Sequence, residues 1–249
     1  MATFVLVPGA WLGGWCWTDV AHLIRSAGHD AVAMTLTGLA DRVHLLTPAV
    51  GLDTHVEDVV GALVDEDLHD VFLVGHSYGG TVITVAAARA PERLRGLVYL
   101  DASIPTNGQS NNDVLPQRIG NMVRERAREC GDGWRVPPPL ATDWGLDDGT
   151  RALVVPKLTP HPLKSLEDPA RVHAGILATL PRAFLRTSLP SGVYQPFFER
   201  ARAEGWRCRE LNGGHYAMLT VPNVVVTALL ELADEREAGM STSGSTGDG

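Results

Sequence analysis

Ser77 is the first residue whose type and setting point to chemistry. It stands in the pattern Gly75-His76-Ser77-Tyr78-Gly79. An apolar run before it (71–74) predicts a fully buried strand, and an Ala-rich run after it (81–88) predicts a buried helix, so a very short turn must join them. Glycines two positions either side let the strand and helix backbones pass close together. A serine on such a turn is lifted towards a reactant. We therefore predict a nucleophilic Ser77, with a structural turn serine as the alternative.

A serine nucleophile needs an imidazole to accept its proton. The chain has nine histidines. His215 is the predicted general base, because it follows the last predicted strand in a Gly-Gly loop and comes after the serine in chain order. His76 is expected to pack beside the turn. The other seven, expected in helices or surface loops as solvated or supporting residues, are His22, His29, His44, His55, His69, His161 and His173.

The first apolar run, 4–7, opens into a loop rich in Gly and Trp, Pro8 to Trp17. Backbone N–H groups exposed in such a loop can stabilise a developing oxyanion. Gly9 and Ala10 are the candidates for this part of the site.

The elements that must position these residues alternate strand and helix from residue 4 to residue 102, and again from residue 182 to residue 235. This rhythm predicts an α/β fold with a mostly parallel central sheet and helices on both faces. Between residues 103 and 181 the alternation stops, and we expect an inserted helical lid over the site. The Ser, Gly and Thr-rich tail, 236–249, is expected to be disordered.

Composition narrows the class of protein. The 249 residues are 45% hydrophobic, which is enough for one full core. A net charge of -8 without a basic run argues against nucleic acid and anionic membrane surfaces, and favours a neutral small molecule as partner. Three cysteines without Cys-x-x-Cys spacing suggest neither disulfides nor zinc. No apolar stretch is long enough for a membrane span and the N-terminus has no basic leader, so a cytoplasmic location is expected.

Taken together, these motifs resemble the α/β-hydrolases, in particular the branch of plant methylesterases and hydroxynitrile lyases with its bacterial esterase relatives. The resemblance covers most of residues 3 to 235. Its carriers are residues 4–11 with Gly14-Trp15-Cys16-Trp17, residues 38–52 with Thr54-His55, the Ser77 turn, and Gly214-His215 with Met218.

The resemblance implies an α/β-hydrolase fold and an oxyanion hole built from the backbone N–H groups of Ala10 and Tyr78. Two departures concern the first loop and the residue after the histidine. Most members of the branch have His-Gly where this chain has Pro8-Gly9, so a histidine that braces the loop is absent. Hydroxynitrile lyases have threonine in place of Gly9 and lysine in place of Tyr216. The absence of that threonine and of that lysine favours esterase chemistry over cyanide chemistry.

A third departure concerns the acid of the triad. Family members usually carry it just after the strand predicted here at 182–187, yet residues 187–195 contain no carboxylate. Loss of the acid from a serine protease triad lowers turnover about 10⁴-fold, so the acid must have moved or the chemistry must differ. Asp101, at the end of the strand after Ser77, is the best substitute. A Ser–His pair oriented by Ser188, a backbone carbonyl or water is the alternative.

The expected activity is hydrolysis of a small apolar or aromatic carboxylic ester through an acyl-enzyme, with no cofactor and no metal. Aromatic residues on or near the site loops suggest an apolar cavity under the lid; they are Trp11, Trp134, Trp144, Tyr78 and Tyr216. One alternative is a tailoring enzyme that performs dehydration, cyclisation, ring opening or decarboxylation on a polyketide-like metabolite, with His215 as acid or base. Another is a binding protein without catalysis. The sequence leaves the oligomeric state open.

Overall fold

Strands and helices alternate along the chain, except in the segment between residues 103 and 181. The computed structural model describes residues 1–139, 146–172, 174–188 and 192–243, with the backbone alone for 174 and 235–243. The strands are β1 (Thr3–Val7), β2 (Asp30–Ala33), β3 (Val71–His76), β4 (Leu94–Leu100), β5 (Arg135–Val136), β6 (His161–Pro162), β7 (Arg182–Thr187) and β8 (Arg207–Leu211). The helices are α1 (Thr18–Ser26), α2 (Leu52–Asp65), α3 (Gly79–Arg89), α4 (Asn111–Val114), α5 (Gln117–Cys130), α6 (Asp148–Val154), α7 (Leu163–Glu167), α8 (Ala174–Thr179), α9 (Gln195–Ala203), α10 (Ala217–Thr220) and α11 (Pro222–Ser243).

The central sheet contains six parallel strands in the order β2-β1-β3-β4-β7-β8. Because all six run in the same direction, their carboxyl ends lie at one edge. The loops that leave this edge after β1, β3, β4, β7 and β8 carry the candidate site. The predicted α/β fold with a parallel central sheet is therefore confirmed.

Alternating side chains of the central strands build two cores, one on each face of the sheet. Val5 and Val7 of β1 point into a core shared with α2 and α3. Phe4 and Leu6 point to the opposite face, into a core shared with α1 and α11. Burial on both faces explains why the strands read as nearly continuous apolar runs. The site therefore rests on a rigid support.

The cap, defined here as residues 103–181, connects β4 to β7. It contributes five short helices, α4 to α8, and a small antiparallel ladder between β5 and β6. Its helix α7 packs on α2, and α8 packs on α3. Cap residues such as Leu115 and Leu166 line the cavity that contains Ser77, so the cap lies over the carboxyl edge of the sheet.

The carboxyl-terminal helix is longer than the sequence suggests. The backbone of helix α11 continues to Ser243, past residue 236, where the disordered tail is expected to begin. Apart from Gly239, residues 235–240 are the good helix formers Glu, Arg, Ala and Met, which prolong a helix that has already begun. Residues 244–249 lie outside the described part of the chain. Among the described helices, none is long and apolar enough to cross a bilayer.

Candidate active site

Ser77 occupies a strained turn between β3 and α3. Its φ of 54° lies in the left-handed region, which a side chain with a Cβ disfavours. The flanking glycines permit the turn. A Cβ on Gly75 would lie 2.6 Å from the Gly79 carbonyl oxygen, and one on Gly79 would lie 2.7 Å from that of Val7. The close approach predicted for the two glycines is therefore present, and it holds the serine at the edge of the sheet.

His215 and Asp101 form a hydrogen-bonded pair next to this turn. Asp101 directly follows β4, and His215 lies in the loop after β8. The Nδ1 atom of His215 lies 3.0 Å from Oδ2 of Asp101, and both side chains are largely buried. Nδ1–H donates to the carboxylate, which leaves Nε2 without a proton and able to accept one. The structure therefore brings the two residues together in the arrangement of a triad.

The Asp101 carboxylate is held by the neighbouring strand as well. Thr187, at the end of β7, donates from its backbone N–H to Oδ1 at 3.2 Å and from its hydroxyl to Oδ2 at 2.8 Å. Asp101 also has a positive φ of 45°, so the backbone bends sharply where the carboxylate begins. Ser188, the alternative orienting residue, instead bonds Asn212 and the amide of Gly213. The geometry favours Asp101 over Ser188 as the partner of His215.

A tyrosine that the sequence analysis does not single out contacts both Ser77 and His215. The Tyr194 hydroxyl lies 3.0 Å from Oγ of Ser77. Its ring stacks on the His215 imidazole, with centroids 5.1 Å apart and an interplanar angle of 8°. In the described residues Ser77 forms no side-chain hydrogen bond with His215. Burial raises the pKa of Tyr194, so the hydroxyl stays protonated near neutral pH.

The two residues whose backbone amides are expected in an oxyanion hole line one cavity. Ala10 follows β1, and Tyr78 follows Ser77 at the start of α3. Both line the cavity that contains Ser77. Neither amide donates a hydrogen bond to another residue in the described ranges. They are placed to receive an oxygen from a ligand, as an oxyanion hole requires.

Two buried histidines brace the elements that carry these amides. His55 Nε2–H donates to the Thr37 carbonyl at 2.9 Å, and its Nδ1 accepts from the Tyr78 hydroxyl at 2.9 Å. His161 Nδ1 accepts from the backbone N–H of Trp11 at 3.4 Å, and its Nε2 lies 2.8 Å from the Ser165 hydroxyl. The loop after β1 and the residue after the nucleophile are thus each tied to a histidine.

Burial has a clear electrostatic consequence for both imidazoles. The side chains of His55 and His161 are fully buried. Loss of solvation lowers the pKa of His55 to about 4, and burial together with the neighbouring His55 lowers the pKa of His161 well below its usual value. Both are neutral near pH 7. Of the two roles that the sequence left open, solvated or supporting, His55 in α2 and His161 in the cap take the supporting one. His173 lies outside the described residues.

His76 packs under the catalytic loop, as its place in the turn suggests. Its Nε2–H donates to the backbone carbonyl of His215 at 2.9 Å. Gly9 lies against the same ring, since a Cβ at that position would be 2.8 Å from Nδ1 of His76 and 2.9 Å from Cβ of Ser77. Burial lowers the pKa of His76 strongly. The glycine is therefore required by space beside the nucleophile.

A largely apolar cavity of about 170 Å³ opens above Ser77. Its lining includes the site residues, two asparagines and a set of cap side chains: Ala10, Trp11, His76, Ser77, Tyr78, Asn111, Asn112, Leu115, Ile119, Met122, Val123, Pro139, Leu166, Val193, Tyr194, His215 and Tyr216. Trp11 and Tyr216, predicted for this wall, belong to it. Trp144 lies outside the described residues.

Trp134 is not among the described residues that line this cavity, so its prediction as a pocket residue is wrong. It precedes β5, its carbonyl accepts from Leu163, and the Arg135 guanidinium lies over its ring. An irregular segment has no periodicity from which the direction of a side chain follows, which explains the error. The sequence analysis also missed Tyr194 and His161 as parts of the site, for the same reason.

Comparison with known proteins agrees with this geometry. The sequence model described as alpha/beta hydrolase family matches residues 4–228. A carbendazim hydrolyzing esterase from Nocardioides sp. (strain SG-4G) is 35% identical over 246 residues, which cover 93% of this chain and 100% of that protein. Methylesterase 1 of Arabidopsis thaliana is 32% identical over 124 residues, 49% of this chain and 47% of that protein. The resemblance to plant methylesterases and their bacterial relatives is confirmed.

Solved structures resemble this fold over nearly its whole length. An extracellular alpha/beta-hydrolase from a Paenibacillus species superposes with a TM-score of 0.83 at 23% sequence identity, covering 93% of this chain and 98% of that one. At this level of identity the likeness concerns the fold. It supports the assignment of the six parallel strands and the inserted cap.

Proposed function

The chain belongs to the alpha/beta hydrolase family and is an esterase, and we propose that it cleaves small apolar or aromatic esters through an acyl-enzyme on Ser77. The contact between His215 and Asp101 carries this proposal. The absence of a carboxylate after β7 is the reason to consider altered chemistry, and the Asp101 carboxylate directly after β4 supports ordinary hydrolysis instead.

In the proposed mechanism, Ser77 first exchanges its hydrogen bond with Tyr194 for one with Nε2 of His215. His215 takes the serine proton as Oγ attacks the acyl carbon, and the Asp101 carboxylate stabilises the imidazolium. The amides of Ala10 and Tyr78 hold the negative oxygen of the tetrahedral intermediate. His215 then returns the proton to the leaving alcohol, and water releases the acyl group by the same steps.

The cavity supports the proposed substrate class. Its walls include the apolar cap residues Leu115, Ile119, Met122 and Leu166, and also Trp11. Such a lining favours a small, flat or aliphatic ester without charge. Carbendazim, on which the Nocardioides relative acts, is a candidate substrate for this chain.

Labelling with a fluorophosphonate tests the mechanism. Wild-type protein is expected to gain one phosphonyl group by intact mass, Ser77→Ala none, and His215→Ala to react far more slowly, because the serine then lacks its base. p-Nitrophenyl esters and carbendazim then test turnover. Esterase activity that persists in Ser77→Ala, or a folded wild type that is neither labelled nor active, would refute the proposal.

A further inference from the structure

The environment of Tyr194 goes beyond the three residues of the proposed triad. Tyr194 directly precedes helix α9. Its carbonyl accepts the N–H of Phe198, and the neighbouring Gln195 bonds Arg186. The side chain is buried, with 8% of its surface exposed. A hydroxyl on a ring that is fixed by a helix start and by stacking on His215 has little freedom to move.

From this geometry we infer that Tyr194 is a catalytic residue that donates a hydrogen bond to the alcohol oxygen of the ester as that oxygen leaves. The inference rests on the proposed function. The hydroxyl touches Oγ of Ser77, one of the reacting atoms, at 3.0 Å. Its ring lies on the imidazole that must deliver a proton to the leaving oxygen. The leaving oxygen must therefore come close to both groups.

The oxyanion side of the serine is already supplied by the amides of Ala10 and Tyr78, so Tyr194 is free for the leaving side. When Ser77 turns to His215, the tyrosine hydroxyl loses its partner in the free enzyme. Its buried position keeps it a neutral donor, because ionisation there is unfavourable.

The proposed step is balanced without any further reactant. The bond between Ser77 Oγ and the acyl carbon forms first, as the π pair of the carbonyl moves to the oxygen held by Ala10 and Tyr78. When that pair returns to the carbon, the bond from the carbon to the alkoxy oxygen breaks. The electron pair of the broken bond goes to the alkoxy oxygen, which takes the proton that His215 received from Ser77. Tyr194 stabilises the developing charge by a hydrogen bond and keeps its own proton.

A series of leaving groups tests the inference, because donation to the leaving oxygen matters most when the alcohol is a poor leaving group. Benzoate esters of p-nitrophenol, phenol and methanol would be compared in wild type and Tyr194→Phe, which keeps the stacked ring and removes the hydroxyl. We expect kcat/KM of the variant to fall by roughly 10-fold to 100-fold for the methyl ester and only slightly for the p-nitrophenyl ester.

The matched control is Tyr99→Phe, which removes another buried tyrosine hydroxyl, one that bonds Thr84 in the core. It is expected to lower thermal stability without a dependence on the leaving group. An equal loss for all esters in Tyr194→Phe, or a gain because Ser77 is released from a resting contact, would overturn the inference. A wild type that is neither labelled nor active would overturn the proposed function and the inference with it. If the wild type is labelled and active, the proposed function holds and the leaving-group series decides the inference alone.

Discussion

The Nδ1 atom of His215 lies 3.0 Å from Oδ2 of Asp101, although the two residues are 114 positions apart in the chain. The substitution Asp101→Asn replaces the carboxylate by an amide. It removes the charge that stabilises the His215 imidazolium, and the amide no longer fixes which nitrogen of the neutral imidazole carries the proton. We expect kcat for a p-nitrophenyl ester to fall about 10⁴-fold. Steady-state kinetics and the rate of fluorophosphonate labelling measure this effect.

The matched control for this change is Thr187→Val, which removes one of the hydrogen bonds to the same carboxylate and leaves its contact with His215. We expect a loss of about 10-fold, in line with one hydrogen bond to a charged group. A similar rate in Asp101→Asn and wild type would assign the orienting role to another group.

Strain at the nucleophile is expected to cost stability. Ser77 has a φ of 54°, which glycine adopts freely and alanine does not. Both Ser77→Gly and Ser77→Ala abolish the nucleophile and the bond to Tyr194. We expect the free energy of unfolding of Ser77→Gly to exceed that of Ser77→Ala by about 1 kcal/mol. Urea denaturation of the two variants measures the difference, and equal midpoints would show that the turn is unstrained.

Stability is expected to fall in mildly acidic solution because of the buried histidines. The pKa of His55 is lowered in the folded protein to about 4, so the unfolded chain binds the additional proton as pH falls below the ordinary value of 6.5. Stability is therefore full above that value and is lost as pH decreases towards the folded pKa. For His55 alone the loss is on the order of 2 kcal/mol by about pH 5. His76 and His161 act in the same direction.

Urea denaturation between neutral and acidic pH tests this dependence. His55→Gln can still bond Thr37 and Tyr78 but cannot take up a proton. We therefore expect the free energy of unfolding of the variant to decline less steeply with falling pH, with about one fewer proton taken up on unfolding. His22→Gln, on the exposed face of α1, controls for the loss of one imidazole. Identical slopes in His55→Gln and wild type would exclude His55 as a source of the pH dependence.

Any side chain at residue 9 is expected to clash with the atoms around the nucleophile. In Gly9→Ala the new Cβ would lie 2.9 Å from Cβ of Ser77, so the serine or the loop after β1 must shift. Displacement of a catalytic group by about an ångström costs roughly 100-fold in rate, and we expect a loss of that order. The control is Gly61→Ala in α2, where a Cβ meets no atom within 4 Å. Wild-type kinetics in Gly9→Ala would contradict the crowded geometry.

Much of the fold and part of the site follow from local patterns in the sequence. The buried strand, the glycines and the helix around Ser77 are neighbours in the chain, so their packing is encoded within about twenty residues. The strand at 182–187 is predicted with the bounds that the structure has, because its apolar centre is closed by polar residues on both sides. The family follows from the same motifs.

The remaining parts of the site were decided by tertiary structure. Ser77 meets Tyr194 across 117 positions, and Trp11 meets His161 across 150. Neither contact leaves a periodic signal, because Tyr194 follows a loop and His161 lies in an irregular cap. Burial of His55 likewise depends on tertiary structure, because His161 of the cap packs against its ring. Sequence patterns determine which residues can carry chemistry and where each strand ends, whereas packing between distant segments decides which of them meet, since those contact energies involve residues with no local relationship.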